Sequence, residues 1–211
     1  MAGICYIIGA GEHYDNDSPV PGSEDFVIAA DGGFNYVSEK CIRADLILGD
    51  FDSVKGEVRS DDSEIIRLNP VKDETDTLSA VIKGMEKGYR IFHIYGGTGG
   101  RTDHTIANIQ TLTMLAQKGM QGFLFGEKEV MTVIRNSTIS FDKDASGYIS
   151  VFTLDTVSHG VYEKGLKYEL DNYTMDNSYP IGVSNEFTGK ESSVSVKDGT
   201  LLIICPKNIK F

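Results

Sequence analysis

Basic residues are scarce in this chain. Its 211 residues set only 20 Lys and Arg against 31 Asp and Glu, a formal charge of −11. No Lys/Arg cluster interrupts that excess, which argues against nucleic-acid or membrane-surface partners, since phosphate backbones and anionic lipid would be repelled. Long apolar runs are missing too, none approaching the ~18 residues of a membrane span. The apolar opening Met1–Gly9 has no basic flank and soon meets Glu12, Asp15 and Asp17, so it reads as a buried strand rather than a signal peptide. Cysteine is limited to Cys5, Cys41 and Cys205, too few and too widely spaced for a disulfide framework or a zinc site. They are expected to be buried thiols in a reducing cytoplasm. Internal repeats, low-complexity tracts and long linkers are also absent.

What is present is a change of period. Up to about residue 125, short continuous apolar runs alternate with helical patterns: Ile4–Ile8, Phe26–Ala30, Leu46–Leu48, Ile65–Leu68, Ile91–Tyr95 and Phe123–Phe125. Such runs suit strands buried on both faces of a helix-covered parallel sheet. Leu78, Val81, Ile82 and Met85 predict a helix that Asp73 or Thr75 could cap and Gly88 end. Ile106, Ile109, Leu112 and Leu115 predict a second over Thr105–Lys118, stopped by Gly119. Beyond about Glu127, Thr, Ser, Val, Tyr and Ile alternate with turn residues, which predicts an all-β domain. Ser193–Val196 and Leu201–Cys205, separated by Lys197-Asp198-Gly199-Thr200, predict a tight hairpin. The expected domains are therefore 1–126 and 127–211.

Three acidic, glycine-studded segments follow apolar runs: Gly49-Asp50-Phe51-Asp52-Ser53, Lys72-Asp73-Glu74-Thr75-Asp76-Thr77, and Gly96 to His104 with its Gly-Gly-Thr-Gly-Gly-Arg-Thr-Asp-His order. The carboxyl ends of strands in an open α/β sheet form the ligand crevice, and carboxylates there suit a divalent ion holding nucleotide phosphates. Asp50 and Asp52, two residues apart, would project from one side and share a cation. Asp76 reads as a metal or phosphate contact in a first helical turn that also favours acids for capping. Lys72 could meet a phosphate or simply be solvated. The Gly96–Arg101 loop joins a strand to a helix, where bare backbone N–H groups meet an anion, and Arg101 could clamp phosphate. It is neither a P-loop nor a dinucleotide fingerprint. Asp103 and His104 could serve proton transfer, bind metal through water, or cap the helix. Asp31-Gly32-Gly33 is either a sheet-end ligand site or a turn, and Gly9-Ala10-Gly11 a strand-end turn close to ligand. His13, His93 and His159 have no ligand spacing and are expected to be structural.

In order and separation these segments resemble the thiamine pyrophosphokinase family, and the match continues through Gly165–Leu170 and Gly182–Phe187. The resemblance implies transfer of a diphosphoryl group from ATP to the hydroxyl of thiamine, giving thiamine diphosphate and AMP. It further implies a homodimer whose active site lies between the α/β domain of one subunit and the β domain of its mate. Carried over, Asp50, Asp52 and Asp76 would hold Mg²⁺ with Asp31 nearby. Asp31, Gly32, Lys72, Thr75, Gly97, Thr98, Gly99, Gly100, Arg101 and His104 would bind ATP, and Asp50, Asp52, Asp76, Arg101 and Asp103 would form the catalytic set. Tyr168, Ser184, Asn185 and Phe187 are candidates for thiamine, a cationic heterocycle that should meet aromatic faces. The fold expected is α/β plus all-β: a mostly parallel, Rossmann-like sheet with flanking helices, then a β-sandwich or jelly-roll-like domain. Rival readings are a diphosphokinase for another heterocyclic alcohol such as a hydroxymethyl-pterin, a non-catalytic nucleotide or thiamine sensor, and hydrolysis with water as acceptor.

Overall fold

The computed structural model describes residues 3–14, 18–50, 63–69 and 74–209. They form two compact units, Met1–Thr111 with Gly122–Glu127, and Leu112–Gln121 with Lys128–Phe211.

The first unit is α/β. Its strands are β1 (Cys5–Ile8), β2 (Phe26–Ala30), β3 (Leu46–Gly49), β4 (Glu64–Arg67), β5 (Ile91–Tyr95) and β6 (Gln121–Phe125, its first residue grouping with the second unit), with helices α1 (Gly33–Glu39), α2 (Asp76–Glu86) and α3 (Thr102–Gln117, its residues from Leu112 grouping with the second unit). Their order is β6-β5-β1-β2-β3-β4. The ladders β5/β1, β1/β2, β2/β3 and β3/β4 are all parallel. The apolar runs form these strands because both faces of β1, β2 and β3 are buried; Cys5, Ile7, Ile8, Ile28, Ala29, Leu46 and Leu48 are wholly enclosed. β4 departs from that expectation. It lies at the sheet edge with Ile65 43% exposed, so a four-residue apolar-looking run here is only half covered.

The helices correct the predicted stripes. In α2 Val81 is buried as expected, but the deepest companions are small, Ser79, Ala80 and Gly84, while Leu78, Ile82 and Met85 are half-buried. A Cβ at Gly84 would stand 2.7 Å from both Cys5 Sγ and Phe92 Cε1, so the helix lies too close to the sheet for larger residues. In α3 Ile106 is 55% exposed, and Asn108 and Thr111 are buried with Leu112 and Leu115. Both polar groups are satisfied, Thr111 Oγ1 by the Ala107 carbonyl at 3.1 Å and Asn108 as described below. Cys5 and Cys205 are buried free thiols, whereas Cys41 is exposed, contrary to expectation, because it ends the turn after α1 in a left-handed conformation, φ 53°.

The second unit is β-rich: β7 (Glu129–Arg135), β8 (Thr138–Phe141), β9 (Tyr148–Thr153), β10 (Val157–Lys164), β11 (Leu170–Asp176), β12 (Asn185–Glu186), β13 (Ser192–Asp198) and β14 (Thr200–Pro206). Two strand groups run β12-β9-β14-β7 and β11-β10-β13-β8, and every assigned ladder within them is antiparallel. The hairpin predicted at Asp198-Gly199 does not form. β13 pairs with β10 and β8, and β14 with β7 and β9, so Gly199 is a corner between groups. It is pinned there by Asn136, whose Oδ1 accepts from Gly199 N–H at 2.8 Å and whose own N–H donates to the Gly199 carbonyl at 3.1 Å. A single residue between strands cannot supply the two central positions of a hairpin turn.

Candidate active site

In the first unit the strand order reverses at β1: the chain steps from β1 to β2 on one side, and β5 lies on the other. Ligands of open α/β sheets bind at such a switch, outside the carboxyl ends of the strands. The two loops that leave β1 and β5 there are stitched together. Gly9 N–H donates to the Tyr95 carbonyl at 2.8 Å, Gly11 N–H to Gly96 at 2.8 Å, and Glu12 N–H to Thr98 at 3.2 Å. They frame a cavity of about 410 Å³ in which Asp31, Thr75, Asp76, Gly97, Thr98, Gly99, Gly100, Arg101 and His104 all meet. Nine of the expected site residues therefore converge on one opening, although they come from three separate stretches of chain.

Each element aims its residues for a local reason. Asp31 ends β2 with φ 48°; its N–H donates to the Leu48 carbonyl at 2.7 Å and its carbonyl accepts from Phe34 N–H at 3.1 Å, which starts α1. Gly32 caps that helix. β3 approaches so closely that a Cβ at Gly49 would lie 2.9 Å from the Asp31 Cα, but Asp50, the next residue, is not among those lining the cavity, nor is Gly32. Thr75 is the N-cap of α2, its Oγ1 accepting from Leu78 N–H at 3.2 Å, so Asp76 stands in the first turn facing the cavity. Thr98 turns its hydroxyl toward the Phe125 carbonyl at 3.5 Å. Arg101 is exposed and forked onto Asp103, with Nη2 at 2.6 Å and Nε at 3.2 Å from the two carboxylate oxygens. That bond holds the Asp103 carboxyl below the usual carboxylate range and raises the guanidinium further. Asp103 is not part of the cavity wall; it orients Arg101 instead. Asp52 and Lys72, together with Phe51, Ser53 and Asp73, lie outside the described residues.

The wall also contains Glu12, Thr77 and Asn108, which the sequence reading did not single out. Asn108 is 3% exposed and its Nδ2 donates to the Gly97 carbonyl at 2.7 Å, tying the glycine loop to α3. A lone amide on a helix has no local signature; only the position of Gly97 reveals its use.

In the second unit, Tyr168 is 62% exposed, with Lys167 Nζ 5.5 Å from its ring centre. Asn185 is buried at 4% exposure and bonds to the Tyr168 backbone at both N–H and C=O. Ser184 is exposed, at φ 57°, and its N–H donates to Ser150 Oγ at 3.0 Å. Phe187 pairs back to Leu166 and sets its ring edge-on to Phe141 at 5.2 Å, a packing role within this unit.

Two models of one family match the chain, the thiamin pyrophosphokinase catalytic domain over residues 21–124 and the thiamin pyrophosphokinase vitamin B1 binding domain over residues 136–201. The chain belongs to the thiamine pyrophosphokinase family. It is 29% identical over 164 residues to a thiamine pyrophosphokinase of Bacillus subtilis, covering 74% of this chain and 75% of the relative. It is 24% identical over 191 residues to thiamin pyrophosphokinase 1 of Caenorhabditis elegans, covering 83% and 76%. The crystal structure of the thiamine pyrophosphokinase from Bacillus subtilis shares its fold, with a TM-score of 0.87 at 24% identity over 97% of this chain and 99% of that one. The yeast thiamin pyrophosphokinase structure shares it at a TM-score of 0.71 and 15% identity, over 97% and 86%. The first family segment contains the converging cavity residues, and the second contains Tyr168, Ser184, Asn185 and Phe187.

Proposed function

We propose that the chain is a Mg²⁺-dependent thiamine diphosphokinase, passing the β- and γ-phosphoryl groups of ATP together to the hydroxyl of thiamine. The observation that carries the reading is the convergence of Asp31, Asp76, the Gly97–Gly100 backbone and Arg101 on one cavity in a chain of this family. The hydroxyl oxygen forms a bond to the β-phosphorus while the bond from that phosphorus to the oxygen bridging the α-phosphate breaks. AMP leaves with that oxygen, and the alcohol proton passes to solvent or to a neighbouring carboxylate. Negative charge grows on the bridging oxygen, and Arg101 and the loop N–H groups would be the donors that meet it.

The donor set fits a hard cation. Asp50 and Asp76, with Asp31 close by, offer oxygen ligands only, and Mg²⁺ is commonly held by one or two carboxylates plus substrate phosphates and water. Among the described residues no group of three or more His, Cys, Asp or Glu is arranged to hold a metal ion; Asp52 would add a third carboxylate to Asp50 and Asp76. When bound, the ion would neutralise phosphate charge. Residues 1–126 are assigned to nucleotide and metal as a Rossmann-like domain, and 127–211 to thiamine as a β-sandwich or jelly-roll-like domain. Tyr168 would present the aromatic face, with Ser184, Asn185 and Phe187 around it. The active enzyme would be a homodimer with each site shared between subunits, located in the cytoplasm; no helix among the described residues is long and apolar enough to cross a membrane.

A panel of acceptors tests the substrate. Metal-dependent AMP release with thiamine, and none with a hydroxymethyl-pterin, supports the reading; preference for the pterin, or AMP formation without any acceptor, overturns it.

A further inference from the structure

We infer that Glu163 is a positioning residue for Tyr168, acting through Asn185. The inference rests on reading Tyr168 as part of the thiamine site. Along β10 the side chains of Val161 and Glu163 point inward while Tyr162 and Lys164 face out. Glu163 stands opposite Val194 of β13 and Leu170 of β11 and is 1% exposed, so a carboxyl fills a position that strand alternation reserves for an apolar residue. Burying an ionisable group is costly, and one hydrogen bond does not offset it. Glu163 Oε2 accepts from Asn185 Nδ2 at 2.7 Å, and Oε1 has no hydrogen-bond partner among the described residues. The effect of that carboxyl is therefore to be sought in what its single bond orients.

Asn185 uses all of its hydrogen-bonding capacity. Besides Glu163, its Nδ2 donates to the Tyr168 carbonyl at 2.7 Å, and its Oδ1 accepts from Tyr168 N–H and Glu186 N–H, both at 2.9 Å. The amide thereby imitates a strand partner for a residue that lies in no strand. Asn185 itself belongs to the two-residue β12, whose one assigned ladder among the described residues is with β9, while Glu186 beside it accepts from Lys167 N–H at 3.0 Å. Glu163 ties this short element, and with it the Tyr168 backbone, to the eight-residue β10, which is hydrogen-bonded on both sides. An exposed ring attached to a clamped backbone is held ready for a ligand; with the clamp loosened, ordering it is charged against binding.

Glu163→Met is close in length and lacks an acceptor, while Glu163→Gln keeps one. We expect Glu163→Met to raise the thiamine KM about tenfold or more, leaving kcat and the ATP KM within about twofold, and Glu163→Gln to stay near wild type. Hydrogen exchange at the Tyr168 amide, read without substrate, should quicken about tenfold in Glu163→Met and not in Glu163→Gln. Unchanged exchange and unchanged thiamine KM in Glu163→Met, or an equal loss in the ATP KM, would overturn the inference. Should Glu163→Met not fold, a reversed pair decides. Asn185→Asp sets two carboxylates together and weakens thiamine use, and adding Glu163→Gln, which can donate to Asp at 185, should recover it; no recovery overturns the role. Wild-type protein that makes no thiamine diphosphate would sink the substrate reading alone, since Tyr168 exchange still judges the positioning.

Discussion

At the scale of single residues, the motifs that were legible are those standing where strands end or a helix begins. Asp31, Thr75, Asp76 and the run from Gly97 to Arg101 all line the cavity because glycine, threonine and aspartate at those junctions are both capping residues and ligand groups. Asn108 and Glu163 were not legible: one polar residue inside a helix or strand pattern looks like a solvent position until its neighbours are known. Asp76→Asn should lower turnover by about a hundredfold or more through lost phosphate and metal contact, while costing only about 0.3–1 kcal/mol of stability at the helix start. Steady-state rates and a melting curve on the same sample check it, and a folded variant of normal activity removes Asp76 from the site. Glu163 gives a pH prediction. Burial pushes its carboxyl up to about 7, with the Asn185 bond acting in the opposite direction. A folded-state value above the ordinary one means the group favours folding below about pH 4.5, and that the advantage is lost as pH rises through about 7. The loss is on the order of 3 kcal/mol. Glu163→Gln does not titrate, so its melting temperature relative to wild type should climb between pH 5 and pH 8; a constant difference contradicts the ionisation.

Elements were read best where a continuous apolar run made a buried strand, as with Phe26–Ala30 and Ile91–Tyr95, whose bounds agree residue for residue. They were read worst where small or polar residues do the packing. The seven-residue α1 has too few turns to show a stripe, and the buried face of α2 depends on Ser79, Ala80 and Gly84, which a hydrophobic pattern passes over. Gly84→Ala tests that packing. The added methyl meets Cys5 and Phe92 at 2.7 Å, so the variant should lose about 1–3 kcal/mol despite alanine's better helix propensity. Urea unfolding measures it, and a stabilised variant would show that α2 can lift from the sheet. Asn108→Ala leaves the Gly97 carbonyl without its amide partner and should cost about 1–3 kcal/mol, with a raised ATP KM as its second sign. The Asp198-Gly199 dipeptide is instructive in the other direction: its turn chemistry was recognised, but local residues cannot say whether the next strand returns to its neighbour or joins a different group.

For the whole molecule, the units are interleaved along the chain: Leu112–Gln121 groups with Lys128–Phe211, whereas the catalytic-domain segment runs unbroken over residues 21–124. A site shared between subunits predicts complementation. Asp76→Asn and Tyr168→Ala, each poorly active, should regain on the order of a quarter of wild-type activity when dissociated and reassociated together, because half of the dimers then carry one intact pair of domains. No recovery from a mixture shown to exchange subunits would place each site within a single chain. The central claim concerns which phosphorus is attacked. ATP carrying radioactive phosphorus at the β position, incubated with Mg²⁺, thiamine and the protein, reports it directly. The account predicts that the label moves into thiamine diphosphate in step with unlabelled AMP; label left in ADP beside thiamine monophosphate would contradict it.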